Sequence, residues 1–192
     1  MSNDIIGAVG TQAAQPASGT VTLEVLNNTA SFQFPHVQLK FTLAAAQVPI
    51  TDAAGSGSFG ALKLMDLVPG AWARLGAIQS YTAFAEGAAL TGAAGDAVFD
   101  IGVGSVAKAA AADGALGGAT DDDIAGEIAV TLAGGTGTGS LVEGPSTTVI
   151  NGTATAADIV LNVSGTAATI DATSTLDVTG TIIVTLMHLG DV

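Results

Sequence analysis

Cysteine is absent from this chain of 192 residues. A thiol nucleophile, a disulfide framework and a cysteine zinc site are therefore excluded. Basic side chains are nearly absent too: Lys40, Lys63, Arg74 and Lys108 stand against 17 acidic residues, for a formal charge of −13. Four cations cannot build the basic face that neutralises phosphates, so nucleic acid is not an expected partner. The two histidines, His36 and His188, leave little for acid–base chemistry at neutral pH, which leans on His, Lys or a perturbed carboxylate. Aromatic residues make up only 4%, so large core anchors are few. Charged residues reach 11%, well under the roughly 25% of an average globular protein. The surface must then be Thr, Ser, Ala, Gly and Asn, which suits packing against copies or neighbours.

No run of 18 apolar residues is present, and the first residues, MSNDIIGAVG, lack the basic and apolar regions of a secretory signal. One Trp and one Tyr cannot form the aromatic girdles of an outer-membrane barrel, so no membrane partner is expected. Asn27, Asn151 and Asn162 each begin an Asn-x-Ser/Thr triplet. Without a secretory signal these read as chance occurrences in a Thr-rich chain.

What is present reads as β-structure. Residues 1–19 lack strand periodicity and carry Pro16, and we expect an extended N-terminal arm there, followed by one β-sandwich domain over 20–192. Val21, Leu23 and Val25 alternate with Thr22 and Glu24, and Asn27-Asn28 carries a turn signal. Val37, Leu39, Phe41 and Leu43 share one face opposite Gln38, Lys40 and Thr42, as in a half-buried strand. Residues 49–60 read as punctuation, 59–67 as a strand, and Val68-Pro69-Gly70 as a turn. Over 71–86 we expect a long strand bent at Gly76, with a helix as the alternative. Further strands are expected at 96–105, 159–163 and 179–189, the last with Ile182, Val184, Leu186 and His188 on one face. Lys108–Ala112 could form a short helix, and Thr120-Asp121-Asp122-Asp123 resembles a helix N-cap with acids in the first turn. The segment 124–132 is open between helix and strand. Many short strands between Gly-rich turns imply an all-β sandwich or jelly roll.

Each candidate for chemistry has a plainer reading. Asp121–Asp123 lacks the alternating spacing of a calcium loop and reads as a capped start or solvated turn. Asp96 and Asp100 lie on one side of a strand, and paired carboxylates can hydrolyse glycosides, but nothing in the sequence places a second acid opposite, and they read as a solvated strand face. Gly134–Gly139 is followed by Ser140-Leu141, not by the Lys-Ser/Thr of a phosphate loop. Gly102 and Gly104 lack a third glycine, so both glycine groups read as turns. His36 and His188 have no supporting ligand spacing for a metal. Trp72 fits either the core or an interface. No catalytic, cofactor-binding or metal-binding residue is assigned.

Four segments carry a resemblance: PITDAAGSGSFGALKLMDLVPGA at 49–71, DIGVGSVA at 100–107, VINGTATAADIVLNV at 149–163 and TGTIIVTLMHLGD at 179–191. In this order they resemble a family of tailed-bacteriophage virion proteins found on capsids as decoration or cement proteins. The resemblance spans roughly residues 37–192. It implies a β-sandwich or jelly-roll subunit, a homotrimer at three-fold positions on the capsid outer surface, with the major capsid protein as its other partner. The missing general bases argue against an enzyme, and no cofactor is expected. The net −13 would repel packaged DNA, in keeping with an outer position. The reading from a different class is a carbohydrate-binding or adhesive module of a phage fibre or appendage, although sugar sites usually want exposed aromatic platforms and few are available.

Overall fold

A computed structural model describes residues 10–29, 36–52, 57–86, 97–109, 116, 120–132, 136–146, 149–152, 154–165 and 174–190. The strands are β1 (Gly10–Gln12), β2 (Thr20–Thr29), β3 (His36–Asp52), β4 (Ser58–Leu67), β5 (Gly70–Glu86), β6 (Ala97–Gly104), β7 (Ala125–Leu132), β8 (Thr136–Glu143), β9 (Val149–Gly152), β10 (Asp158–Gly165) and β11 (Ser174–Gly190). All join one antiparallel sheet in the order β7-β6-β10-β4-β3-β11-β5-β8. Three short additions sit beside it: β1 on β4, β2 on β3 and β9 on β5. The all-β expectation holds. In place of two separate sheets, a single ladder curls into a half-barrel.

Period-two alternation builds the inner face. Val37, Leu39, Phe41 and Leu43 of β3 are buried, as are Ile182, Val184 and Leu186 of the neighbouring β11. Each such side chain contributes roughly 1.5–3 kcal/mol by leaving water. β11 is the keystone, because it pairs with β3 along one edge and with β5 along the other. Strands of 17 residues would run about 56 Å if straight, too long for a compact sheet. Bulges break them instead. Thr185 faces Gly76 while Leu186 faces Arg74, so Leu75 is an extra residue and β5 bends beside Gly76, as the glycine suggested. In β3 a second irregularity lies between Leu43 and Ala46, with Ala45 at φ 48° and its N–H donated to the Thr179 hydroxyl at 3.0 Å. Bulges increase local twist, and an eleven-stranded sheet must curl to close over its apolar face.

Several local expectations give way to longer-range pairing. Asn27 and Asn28 lie within β2, where a bulge between Val25 and Asn27 replaces the turn. Residues 120–124 form a turn that leads into strand β7, not a helix, because the apolar residues after it pair with β6. Lys108 and Ala109 are not helical, and 110–112 lie outside the described residues. Thr136–Gly139 belongs to β8, so that part of the Gly-rich stretch is strand. Of the expected arm, residues 10–19 are described, and parts of them bond to the sheet. Gly10–Gln12 pairs with β4, the Ser18 carbonyl accepts from the Gln47 N–H at 3.1 Å, and residues 1–9 lie outside the described residues. The Gln12 and Gln15 side chains donate to the Val21 carbonyl at 2.7 and 2.9 Å, and Gln15 accepts from the Val21 N–H at 2.8 Å. Those amides cover the start of the β2 edge, which would otherwise expose backbone groups.

Candidate functional site

The curl brings β7, at one end of the strand order, against β5 and β8 at the other. Side chains close this seam. Gly126 of β7 donates its N–H to Glu143 Oε2 of β8 at 2.7 Å and accepts from Gln79 Nε2 of β5 at 2.8 Å. Arg74 Nη1 of β5 donates to the same Glu143 oxygen at 2.7 Å and to the Ile124 carbonyl at 3.2 Å. The buried Tyr81 hydroxyl donates to Gln79 Oε1 at 2.6 Å. Burial pushes the Tyr81 phenol far up, so it stays a neutral donor. Gly139 of β8 faces Tyr81, and a Cβ there would meet Ile128 Cγ2 of β7 at 2.8 Å. The missing side chain admits β7.

A second polar cluster ties the connections flanking β6. Asp123 accepts from the Ser105 N–H and hydroxyl, both at 2.7 Å. Asn162 of β10 is fully buried; it accepts from the Lys108 N–H at 2.9 Å and donates to the carbonyls of Val106 at 2.9 Å and Asp121 at 2.8 Å. Lys108 Nζ is paired with Asp121 at 2.9 Å. Gly102 and Gly104 sit on β6, not in turns. A Cβ on Gly104 would collide with the Thr120 carbonyl, so the 120–122 turn crosses directly over the strand. Burial pushes the Asp123 carboxyl up against the pull of its Ser105 bonds and of Arg74. Asp122 is pushed up by burial and then by Glu127, Asp121, Asp123 and Glu143.

These contacts fix loops. The Ser105 hydroxyl is spent on Asp123, and the Lys108 ammonium is held by a carboxylate. The histidines lie elsewhere. His36 faces Met187 across the β3–β11 ladder, so His188, the next residue, points to the opposite face. There it packs on Trp72 with ring centroids 4.5 Å apart and Nε2 3.3 Å from the Pro69 carbonyl. Trp72 belongs to the core, with Nε1 donating to the Val68 carbonyl at 3.2 Å. Asp100 lies on β6, raised by burial and by Glu127, while Asp96 lies outside the described residues. Among the described residues no group of three or more His, Cys, Asp or Glu is placed to hold a metal ion. Asn162 is unavailable to a glycan because both ends of its amide are bonded inside the protein.

Each of the four cations is bound to an acid of the same chain. Lys40 pairs with Glu24 at 3.2 Å, Lys63 with Asp66 and with Asp158 at 3.0 Å, Arg74 with Glu143 and Lys108 with Asp121. The outer face of β2, β3, β11, β5 and β8 carries a cross-strand row of hydroxyls: Thr22, Thr42, Thr181, Ser80 and Ser140. Beside it run Glu24, Lys40, Ile183, Ile78 and Val142. Val142 is 74% exposed and Ile78 40%. A cavity of about 330 Å³ opens between the 105–106 and 120–123 segments and β9, lined by Val106, Asp123, Ile150, Asn151 and Thr155 among others.

Comparison with protein-family models, with curated proteins and with solved structures finds no match for this chain. The bonding roles of the seam residues Arg74, Gln79 and Glu143 and of the buried Asn162 were not legible, since, apart from Tyr81 beside Gln79, their partners lie 17 to 69 residues away in no fixed pattern. The hydroxyl row did leave a trace, in Thr and Ser recurring at the outward positions of alternating strands.

Proposed function

We propose that this chain is a non-enzymatic virion structural protein that decorates and cements the capsid lattice of a tailed bacteriophage, as a trimer on the outer surface. The observation that supports it most is the fate of the polar groups. The seam and the 105–124 cluster tie their Ser, Lys, Arg and Asp side chains into the fold, and each of the four cations is bound within the chain. Chemistry of that kind holds a shape for contact. The resemblance over 37–192 supplies the capsid as the thing contacted, and the charge of −13 favours the side away from packaged DNA.

The cavity beside β9 supports the second reading, a carbohydrate-binding or adhesive module, because Asn151, Thr155 and Asp123 offer hydroxyl, amide and carboxylate partners. Among the described residues no aromatic side chain lines it, and a sugar ring usually stacks on one. The discriminating test is co-sedimentation of the purified chain with undecorated capsids of the phage that encodes it, beside a glycan-array screen. Saturable capsid binding with a silent array is expected. Absence from the capsid pellet, with specific array binding, overturns the capsid reading.

A further inference from the structure

We propose that the outer face of β2, β3, β11, β5 and β8 is the surface on which copies of this chain meet one another. The number of copies rests on the reading above; the location of the face does not. Its centre is apolar: Ile183 stands between its cross-strand neighbours Lys40 and Ile78, and Ile78 faces Val142. Around that centre lie Thr42, Thr181, Ser80, Ser140 and Thr185, short side chains that can bond across a contact or be covered at little entropic cost. An apolar centre inside a polar rim is the anatomy of a protein interface.

Charge selects the occupant. The chain carries −13, so two copies repel wherever their acidic surfaces approach. The only ionic groups in the two central rows are Lys40 and Glu24, which neutralise each other at 3.2 Å. A partner of opposite charge would be drawn to the acidic surface elsewhere, whereas a like-charged copy meets least repulsion on this neutral patch. The size also suffices. Five strands at about 4.8 Å spacing, by about 26 Å along β11, give on the order of 600 Å² per copy, about 1,800 Å² in all where three copies meet. A specific interface needs roughly 1,000 Å² in total.

The test uses the full chain alone, without capsids, so its outcome is separate from capsid binding. Its mass is measured by light scattering and sedimentation equilibrium at low and high salt. An oligomer is expected, strengthened by salt because screening weakens the repulsion. Ile78→Glu with Val142→Glu should reduce the mass to the 18.5 kDa monomer, with the β-sheet circular dichroism retained. Val98→Glu, at an exposed valine on β6, should leave the oligomer unchanged. If the double glutamate variant loses its sheet signal, Ile78→Thr with Val142→Thr keeps β-branched residues in place and should weaken association at least tenfold. A monomeric full chain at every salt concentration overturns the proposal. So does a folded double variant that keeps the oligomeric mass, or a Val98→Glu variant that dissociates equally.

Discussion

Replacing Glu143 with alanine should open the seam between β7 and β8. One carboxylate oxygen there receives two donors, Arg74 Nη1 and the Gly126 N–H, each at 2.7 Å. The Arg74 side chain is only 12% exposed, so the variant leaves its guanidinium short of an acceptor and still largely out of water. A hydrogen bond to a charged group contributes about 1.5–3 kcal/mol, and removing one partner of a buried ion pair costs about 3–5 kcal/mol. Glu143 itself is about a quarter exposed, which puts the expected loss near the lower figure, about 3 kcal/mol. For a domain of this size each kcal/mol moves Tm by about 2–4 °C, so a fall of about 6–12 °C is expected by calorimetry. Amide exchange at Gly126 should speed up selectively. Glu143→Gln keeps an acceptor and should recover about half of the fall. A Glu143→Ala variant that melts within about 1 °C of the parent, with Gly126 still protected, would refute the seam as a stabilising closure.

The remaining expectations concern pH, close packing and the two ends of the chain. Asp122 is pushed above its ordinary 3.8 in the fold, so its ionised form is disfavoured there. The stability it contributes is present below 3.8 and is lost as pH rises through the raised value. Asp122→Asn should therefore raise Tm at neutral pH and lose that gain below 3.8, as a pair of melting curves against pH would show; a gain independent of pH contradicts the assignment. Gly104→Ala should lower Tm by several degrees because the Cβ meets the Thr120 backbone, whereas Gly144→Ala, with open space around it, should shift Tm by less than about 1 °C. Deleting residues 1–19 removes β1 and the amides that bond Val21, so Tm should fall while a cooperative transition remains. Deleting 181–192 removes most of the strand that pairs with both β3 and β5 and should abolish cooperative melting altogether.

How far the fold was legible depends on the range of the interaction concerned. The alternation of Val37, Leu39, Phe41 and Leu43, and of Ile182, Val184 and Leu186, marked the inner face correctly because burial on one side of a pleat imposes a period of two. The Pro69-Gly70 turn was equally local. The acidic 120–123 run looked like a helix cap because a cap and a polar turn before a strand share the same residues; the pairing of β7 with β6 decides between them, and that partner is over twenty residues away. Gly102 and Gly104 looked like turn residues for a related reason. Gly104 lets another backbone segment cross the strand, and Gly102 makes room for the Leu116 and Asp122 side chains, close approaches that leave no pattern in the chain. The curl into one sheet also escaped a strand-by-strand reading, since bulges such as that at Leu75 and side-chain bonds such as Gln79 to Gly126 set it. Of the surface, the charge balance and the outward Thr positions were visible, but their alignment into one cross-strand row required the registers.

Electron cryomicroscopy of virus-like particles purified from cells that produce this chain tests the proposed capsid role most directly. The account predicts density on the outside of the capsid, repeated at three-fold positions, into which three copies of the half-barrel fit with their outer sheet faces turned toward one another. Particles whose capsid surface carries no such density, with the chain found only in a tail fibre or not at all, would contradict it.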